Sequence, residues 1–103
     1  MARHHIFELN VLPSGTGAGE QQGIYEYDTK MVDFARQAPG TAFNGSYKLE
    51  CSLDGLNWRD EGAVQTSDAQ IVITKPWKFI RVNCTVAGAI RPKVLFSGYM
   101  REE

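Results

Sequence analysis

The residues of this chain that could do chemistry are few, and their spacing disperses them. His4 and His5 are the only histidines. Neighbours on an extended strand point to opposite faces, so this pair is badly placed to chelate one ion, and an exposed terminal pair is the simpler reading. Cys51 and Cys84 have no Cys-x-x-Cys or His-x-x-x-His around them. Each falls in a strand-like run, where a free cysteine behaves as a small buried hydrophobe; a disulfide is the alternative, which spacing alone cannot establish. No metal or cofactor site is expected.

Gly15-Thr16-Gly17-Ala18-Gly19 has the look of a phosphate-binding loop. A dinucleotide fingerprint would need a third glycine where Glu20 stands, and a P-loop would need a following Gly-Lys-Ser/Thr; the chain has neither. The carboxylates Asp54, Asp60, Glu61 and Asp68 all sit in or beside turns, where solvated or turn-forming roles are the default. No histidine stands near a nucleophile in a recognisable pattern, and no Gly-x-Ser-x-Gly occurs. A non-enzymatic protein is therefore expected. What remains is aromatic: Tyr25, Tyr27, Trp58, Trp77 and Phe79 could stack on sugars, anchor a protein interface or fill a core. Trp58 is read as core, whereas Trp77 and Phe79 are candidates for an interface, Phe79 because it lies opposite the apolar stripe of its own strand.

The elements that must position these residues are strands. Tyr47, Leu49, Cys51 and Leu53 alternate with Lys48, Glu50 and Ser52, and Asp54-Gly55 suits a two-residue hairpin turn. That register sets Leu53 opposite Leu56, Cys51 opposite Trp58, Glu50 opposite Arg59 and Lys48 opposite Glu61. A longer turn through Leu56-Asn57 would shift it. Further strands are read over 4–12, 24–28, 30–36, 70–74, 77–86 and 92–100, with a helix over 29–37 as the competitor at one place. In the strand from Trp77 to Val86, Ile80, Val82, Cys84 and Val86 share one face; in the last strand, Val94, Phe96, Gly98 and Met100 do. The segment 13–23 is rich in glycine and reads as a flexible exposed loop, long enough to be functional.

A chain of 103 residues with about eight short strands and no convincing helix is a single all-β domain, an antiparallel β-sandwich of jelly-roll type. The net charge of −1 and the scattering of its 11 basic residues argue against a nucleic-acid partner. No apolar run is long enough to cross a membrane or form a signal-peptide core, so the chain is expected to act in the compartment that makes it.

Three stretches together carry a resemblance. They are the Ser-x-Asp-Gly-x-x-Trp hairpin from Ser52 to Trp58, the strand Trp77-Lys78-Phe79-Ile80-Arg81-Val82-Asn83, and the closing Val94-Leu95-Phe96-Ser97-Gly98-Tyr99. They resemble small structural proteins of tailed bacteriophages and also look like discoidin-type sandwiches that bind sugars or lipids. In size and layout the chain is most similar to capsid decoration, or cement, proteins. That resemblance implies a jelly-roll module, commonly trimeric, seated on the major capsid protein at the virion surface after synthesis in the bacterial cytoplasm. It would attach through an N-terminal arm and first strand comprising Arg3, His4, His5, Ile6 and Phe7, with the loop from Ser14 to Gly23 as a further contact, while Trp77 and Phe79 stay the interface candidates of the residue reading. A phage tail or fibre component is the neighbouring expectation, and a carbohydrate-binding module the rival from another class.

Overall fold

The structure is a computed structural model in which residues 3–101 are described. Among them there is no helix. The described residues form nine strands: β1 (Arg3–Leu9), β2 (Gly17–Ala18), β3 (Gln22–Gly23), β4 (Tyr27–Ala35), β5 (Ser46–Ser52), β6 (Arg59–Asp60), β7 (Ala69–Ile73), β8 (Phe79–Val86) and β9 (Lys93–Met100). A four-stranded sheet has the order β1-β9-β4-β7, and a five-stranded sheet has the order β2-β8-β5-β6 with β3 also on β8. Every pairing is antiparallel.

Period-two patterning explains why these residues make these sheets. Val32 and Phe34 of β4, Ile71 and Ile73 of β7, and Val94 and Phe96 of β9 turn inward from one sheet. Tyr47, Leu49 and Cys51 of β5 and Ile80, Val82 and Cys84 of β8 turn inward from the other. All belong to one buried cluster, together with Leu9, Ile24, Tyr27 and Phe43. Burying a side chain of this size contributes roughly 1.5–3 kcal/mol, so this shared cluster is the main source of cohesion. At one end Phe7 stacks on Phe96 with ring centroids 4.8 Å apart, and Tyr27 meets Phe96 edge-on at 5.1 Å. Gly98 makes room for this trio, since a Cβ there would press on the rings of Tyr27 and Phe96.

Three features differ from the sequence reading. Of the strand expected over 24–28 only Tyr27 and Asp28 are extended, Tyr25 and Glu26 being a turn, and they run on into the strand expected over 30–36 as β4, whose pairing with β9 is irregular between Tyr27 and Lys30. That irregularity sends Lys30 inward with Val32 and Phe34, leaving it buried with its ammonium donating to the Tyr27 carbonyl at 3.0 Å. Burial, ahead of repulsion from Arg101, lowers the Lys30 pKa from its ordinary 10.5.

The Gly-rich segment is not an unpaired loop. Gly17 and Ala18 pair with Cys84 and Asn83, Gly19 N–H donates to the Val82 carbonyl at 2.8 Å, and Gln22 and Gly23 pair with Ile80 and Phe79. It forms one interrupted edge along β8. Gly19 is required there, because a Cβ would run into the carbonyl of Asn10 where the chain leaves β1.

The hairpin register is shifted by one residue, pairing Glu50 with Asp60 and Cys51 with Arg59. A slip of one exchanges faces. Trp58, expected in the core opposite Cys51, is therefore half-buried on the outside, with the Arg81 guanidinium 4.0 Å above its ring. At the N-terminus the strand expected over 4–12 is β1, which holds Arg3 to Phe7 in unbroken register with β9 from Arg3↔Met100 to Leu9↔Val94. Met1 and Ala2, the rest of the expected arm, lie outside the described residues.

Both cysteines are buried thiols. The aromatic trio gives a direct test of the shared core. Phe96→Ala should lower unfolding free energy by about 3–5 kcal/mol in chemical denaturation, and a loss below ~1 kcal/mol would show that the two sheets do not close on it.

Candidate interaction surfaces

The residues singled out for partner contact do not share one surface: Arg3 to Phe7 are in the four-stranded sheet, Phe79 is in the five-stranded sheet and Trp77 is in the connection before β8. Along β1, His4 and Ile6 face outward while His5 and Phe7 turn toward the core side. The His4 ring lies flat on Tyr99 at 4.8 Å, with Nε2 2.6 Å from Ser97 Oγ. His5 instead meets the edge of Tyr27 at 5.8 Å, so the two imidazoles diverge. Arg3 directs Nη2 to Met100 Sδ at 3.7 Å.

Trp77 is anchored: its indole N–H donates to Glu61 Oε1 at 2.8 Å and its ring packs against the core cluster. Phe79 is half-buried on the outer face of β8, between Ser52 of β5 and Gly23 of β3. Of the other aromatics, Tyr27 is in the core and Tyr25 is exposed.

The two outer faces differ sharply in chemistry. On the five-stranded sheet, Arg81 Nε donates to Glu50 Oε1 at 2.8 Å and Asn83 Nδ2 to Glu50 Oε2 at 3.2 Å. Lys48 pairs with Asp60 at 3.1 Å, and Arg81 covers Trp58. Glu50 is only 7% exposed, so its carboxylate depends on these two donors. This face is a closed network of satisfied charges. The four-stranded sheet is organised in rows instead. One row runs Ile6–Ser97–Met31–Val72 across all four strands, and the next runs Glu8–Leu95–Asp33–Gln70. Ile6 is 60% exposed, Val72 65% and Tyr99 47%. Sequence reasoning found Ile6 but missed Met31, Val72, Leu95 and Tyr99. The detectable signal was Val72 inside the continuous run Ile71-Val72-Ile73, where an apolar residue falls on both faces of one strand.

The end of the molecule near the β5–β6 loop is wired from within. Asp54 Oδ1 accepts the backbone N–H of Leu56 at 2.9 Å and of Asn57 at 2.8 Å, while Oδ2 accepts Asn57 Nδ2 at 2.7 Å. Ser52 Oγ accepts the N–H of Asp54 and of Gly55. These bonds hold Asp54 well below the usual carboxylate range, the Asn57 backbone bond contributing most. A shallow depression lined by Leu53, Asp54, Asn57, Arg59 and Trp77 lies beside this loop. Its carboxylate and indole N–H are already engaged, a poor start for gripping a glycan.

A broader groove where β1 ends is lined by Glu8, Asn10, Glu20, Gln22 and Arg91 and contains no aromatic platform. Arg91 is held by Nη1 contacts to the Gly15 carbonyl at 3.1 Å and Cys84 Sγ at 3.0 Å. Burial pushes the Cys51 thiol up to about 12, removing it as a nucleophile near neutral pH. Among the described residues, no three His, Cys, Asp or Glu side chains gather into a metal-binding group. No protein-family model matches this chain, and no curated protein or solved structure is similar enough to count as a match.

Two variants probe these polar assemblies. Glu50→Ala should cost about 1–3 kcal/mol in denaturant unfolding, because it strands Arg81 and Asn83 beneath a half-buried surface. Asp54→Ala should lower the melting temperature at pH 7. A carboxylate whose folded pKa is depressed contributes stability above its ordinary value of 3.8 and loses it as pH falls through the folded pKa. The gap between wild type and Asp54→Ala should therefore shrink once the pH is well below 3.8; a gap independent of pH would rule out the carboxylate as its source.

Proposed function

We propose that this protein is a non-enzymatic virion structural protein, a decoration protein that binds the major capsid lattice of a tailed bacteriophage and stabilises the head. The reading takes the two sheets as a jelly-roll sandwich. Counting β2 and β3 as one interrupted strand leaves eight, in the orders 1-8-3-6 and 2-7-4-5. This order supports two interlocked Greek keys, an architecture used by viral capsid and lectin domains alike. Fold alone does not choose between those uses.

The observation that carries the choice is the contrast between the outer faces. The five-stranded face has its charges paired internally, whereas the four-stranded face leaves Ile6, Val72 and Tyr99 exposed over half-buried Met31 and Leu95. An apolar face rimmed by polar residues marks a protein-docking surface. The partner in this reading is the major capsid protein, contacted by His4, Ile6, Met31, Val72 and Tyr99. Phe79, on the other sheet, and Trp77, in the connection that precedes it, play no part. A protein that binds only the expanded shell stabilises that state by mass action, and many identical weak contacts on a lattice reinforce it.

The test is co-sedimentation with undecorated, expanded heads from the same source. Wild type should bind saturably, Val72→Asp should bind about tenfold more weakly or worse, and Lys48→Ala on the other outer face should bind like wild type. Absence of wild-type binding to heads, with binding to tails or to a glycan panel, would transfer the protein to one of those roles.

A further inference from the structure

We propose that β1 is a self-pairing edge: two copies join antiparallel through β1 about a two-fold axis at Ile6, fusing their four-stranded sheets into one sheet of eight strands. The proposal does not rest on the capsid reading, and it puts a two-fold pair in place of the trimer that the phage resemblance implies.

An edge strand carries backbone N–H and C=O groups that a second chain can pair with, and proteins normally blunt such edges by brevity, bulges, proline or charge. Three of the four edges here are blunted. β6 has two residues, and the edge made by β2 and β3 is interrupted between Ala18 and Gln22. β7 has five residues, with the Arg36–Asp68 ion pair at one end and Lys75-Pro76 beyond the other. β1 has seven residues, no proline and an unbroken register with β9, its only neighbour among the described residues; its charged residues, Arg3 and Glu8, would not meet like charges in the self-pairing centred on Ile6.

Self-pairing also selects its own register. If the two sheets are to continue as one, outward residues must face outward residues, so the numbers of paired residues must have an even sum. A sum of 12 pairs all seven residues of β1: Arg3 with Leu9′, His4 with Glu8′, His5 with Phe7′ and Ile6 with itself. Sums of 10 or 14 leave two residues of β1 beyond the pairing and take Glu8 away from His4. In the chosen register the outer face therefore has an apolar Ile6–Ile6′ pair flanked on both sides by imidazole–carboxylate pairs. Opposed residues of these types favour antiparallel pairing. His4 is already positioned for this, because Tyr99 supports its ring and Ser97 engages Nε2, which leaves Nδ1 as the ring's second polar atom. The row Ile6–Ser97–Met31–Val72 would then continue through its symmetry mate across eight strands.

The experiment combines solution mass with a register-specific cross-link, both without capsid shells. Wild type should show twice the 11.5 kDa chain mass by light scattering. Ile6→Lys should be monomeric at the same concentration with an unchanged far-UV spectrum, and Glu8→Lys should weaken the dimer about tenfold or more. Directly opposed Cα atoms lie roughly 4.5–5.5 Å apart, inside the disulfide range. Ile6→Cys should therefore give a covalent dimer under mild oxidation, while Val72→Cys on the far edge should not. A wild-type monomer up to millimolar concentration, a trimer, or a dimer that survives Ile6→Lys without an Ile6→Cys cross-link would each overturn the proposal. Head binding by a monomer would leave the decoration reading standing and this one refuted.

Discussion

The whole structure depends on one shared buried cluster. Each sheet has an apolar inner face that water would penalise, and that face is removed from water only by the other sheet. Chain connectivity enforces this dependence. From β1 onward the chain passes repeatedly between the sheets, and β5 to β6 is the simple hairpin that stays within one. Neither sheet can be assembled from a contiguous piece of sequence, so strand pairing and core closure have to occur together.

Two carboxylates show how the same chemical group takes opposite structural roles. Glu50 is sunk into a sheet face and needs Arg81 and Asn83 beside it; its contribution is specificity of the β5–β8 pairing, enforced by the cost of leaving a charge alone. Asp54 is an exposed residue and organises backbone instead, gathering the N–H groups of Leu56 and Asn57 in the loop after β5. Lys30 is a third case: the irregularity in β4 draws its stem inside, and its ammonium reaches back to a carbonyl of its own strand.

Much of this fold was legible from alternation. The faces of β1, β8 and β9 follow from Phe7 and Leu9, from Ile80, Val82 and Cys84, and from Val94, Phe96 and Gly98, because side-chain period reports burial wherever a strand has one wet face. Val86, assigned to the same stripe, is 57% exposed because β8 runs past the core there. The errors have physical causes. Asp-Gly signals a turn but not its length, and the Ser52 and Asp54 side chains stabilise a wider loop, which moved Trp58 to the outside. Glycine and alanine carry no hydrophobic pattern, so the short strands at 17–18 and 22–23 exist only through the β8 edge that receives them. The candidate surface was half legible: Ile6 was found on a strand, but Met31, Val72 and Tyr99 become its neighbours only once the order β1-β9-β4-β7 is known.

The pairing of β1 with β9 also constrains how the molecule is made. On a ribosome β1 emerges before the other strands, yet its neighbour in the sheet comes from the other end of the described residues; His4 and Ser97, which touch across that pairing, are 93 residues apart. At translation rates of about 5–20 residues per second, β1 waits on the order of five to twenty seconds for its partner. During that interval its apolar side has nothing to cover it. Arg3, His4, His5 and Glu8 are the polar members of that uncovered segment, residues of the kind that interrupt an apolar run and lower its tendency to aggregate.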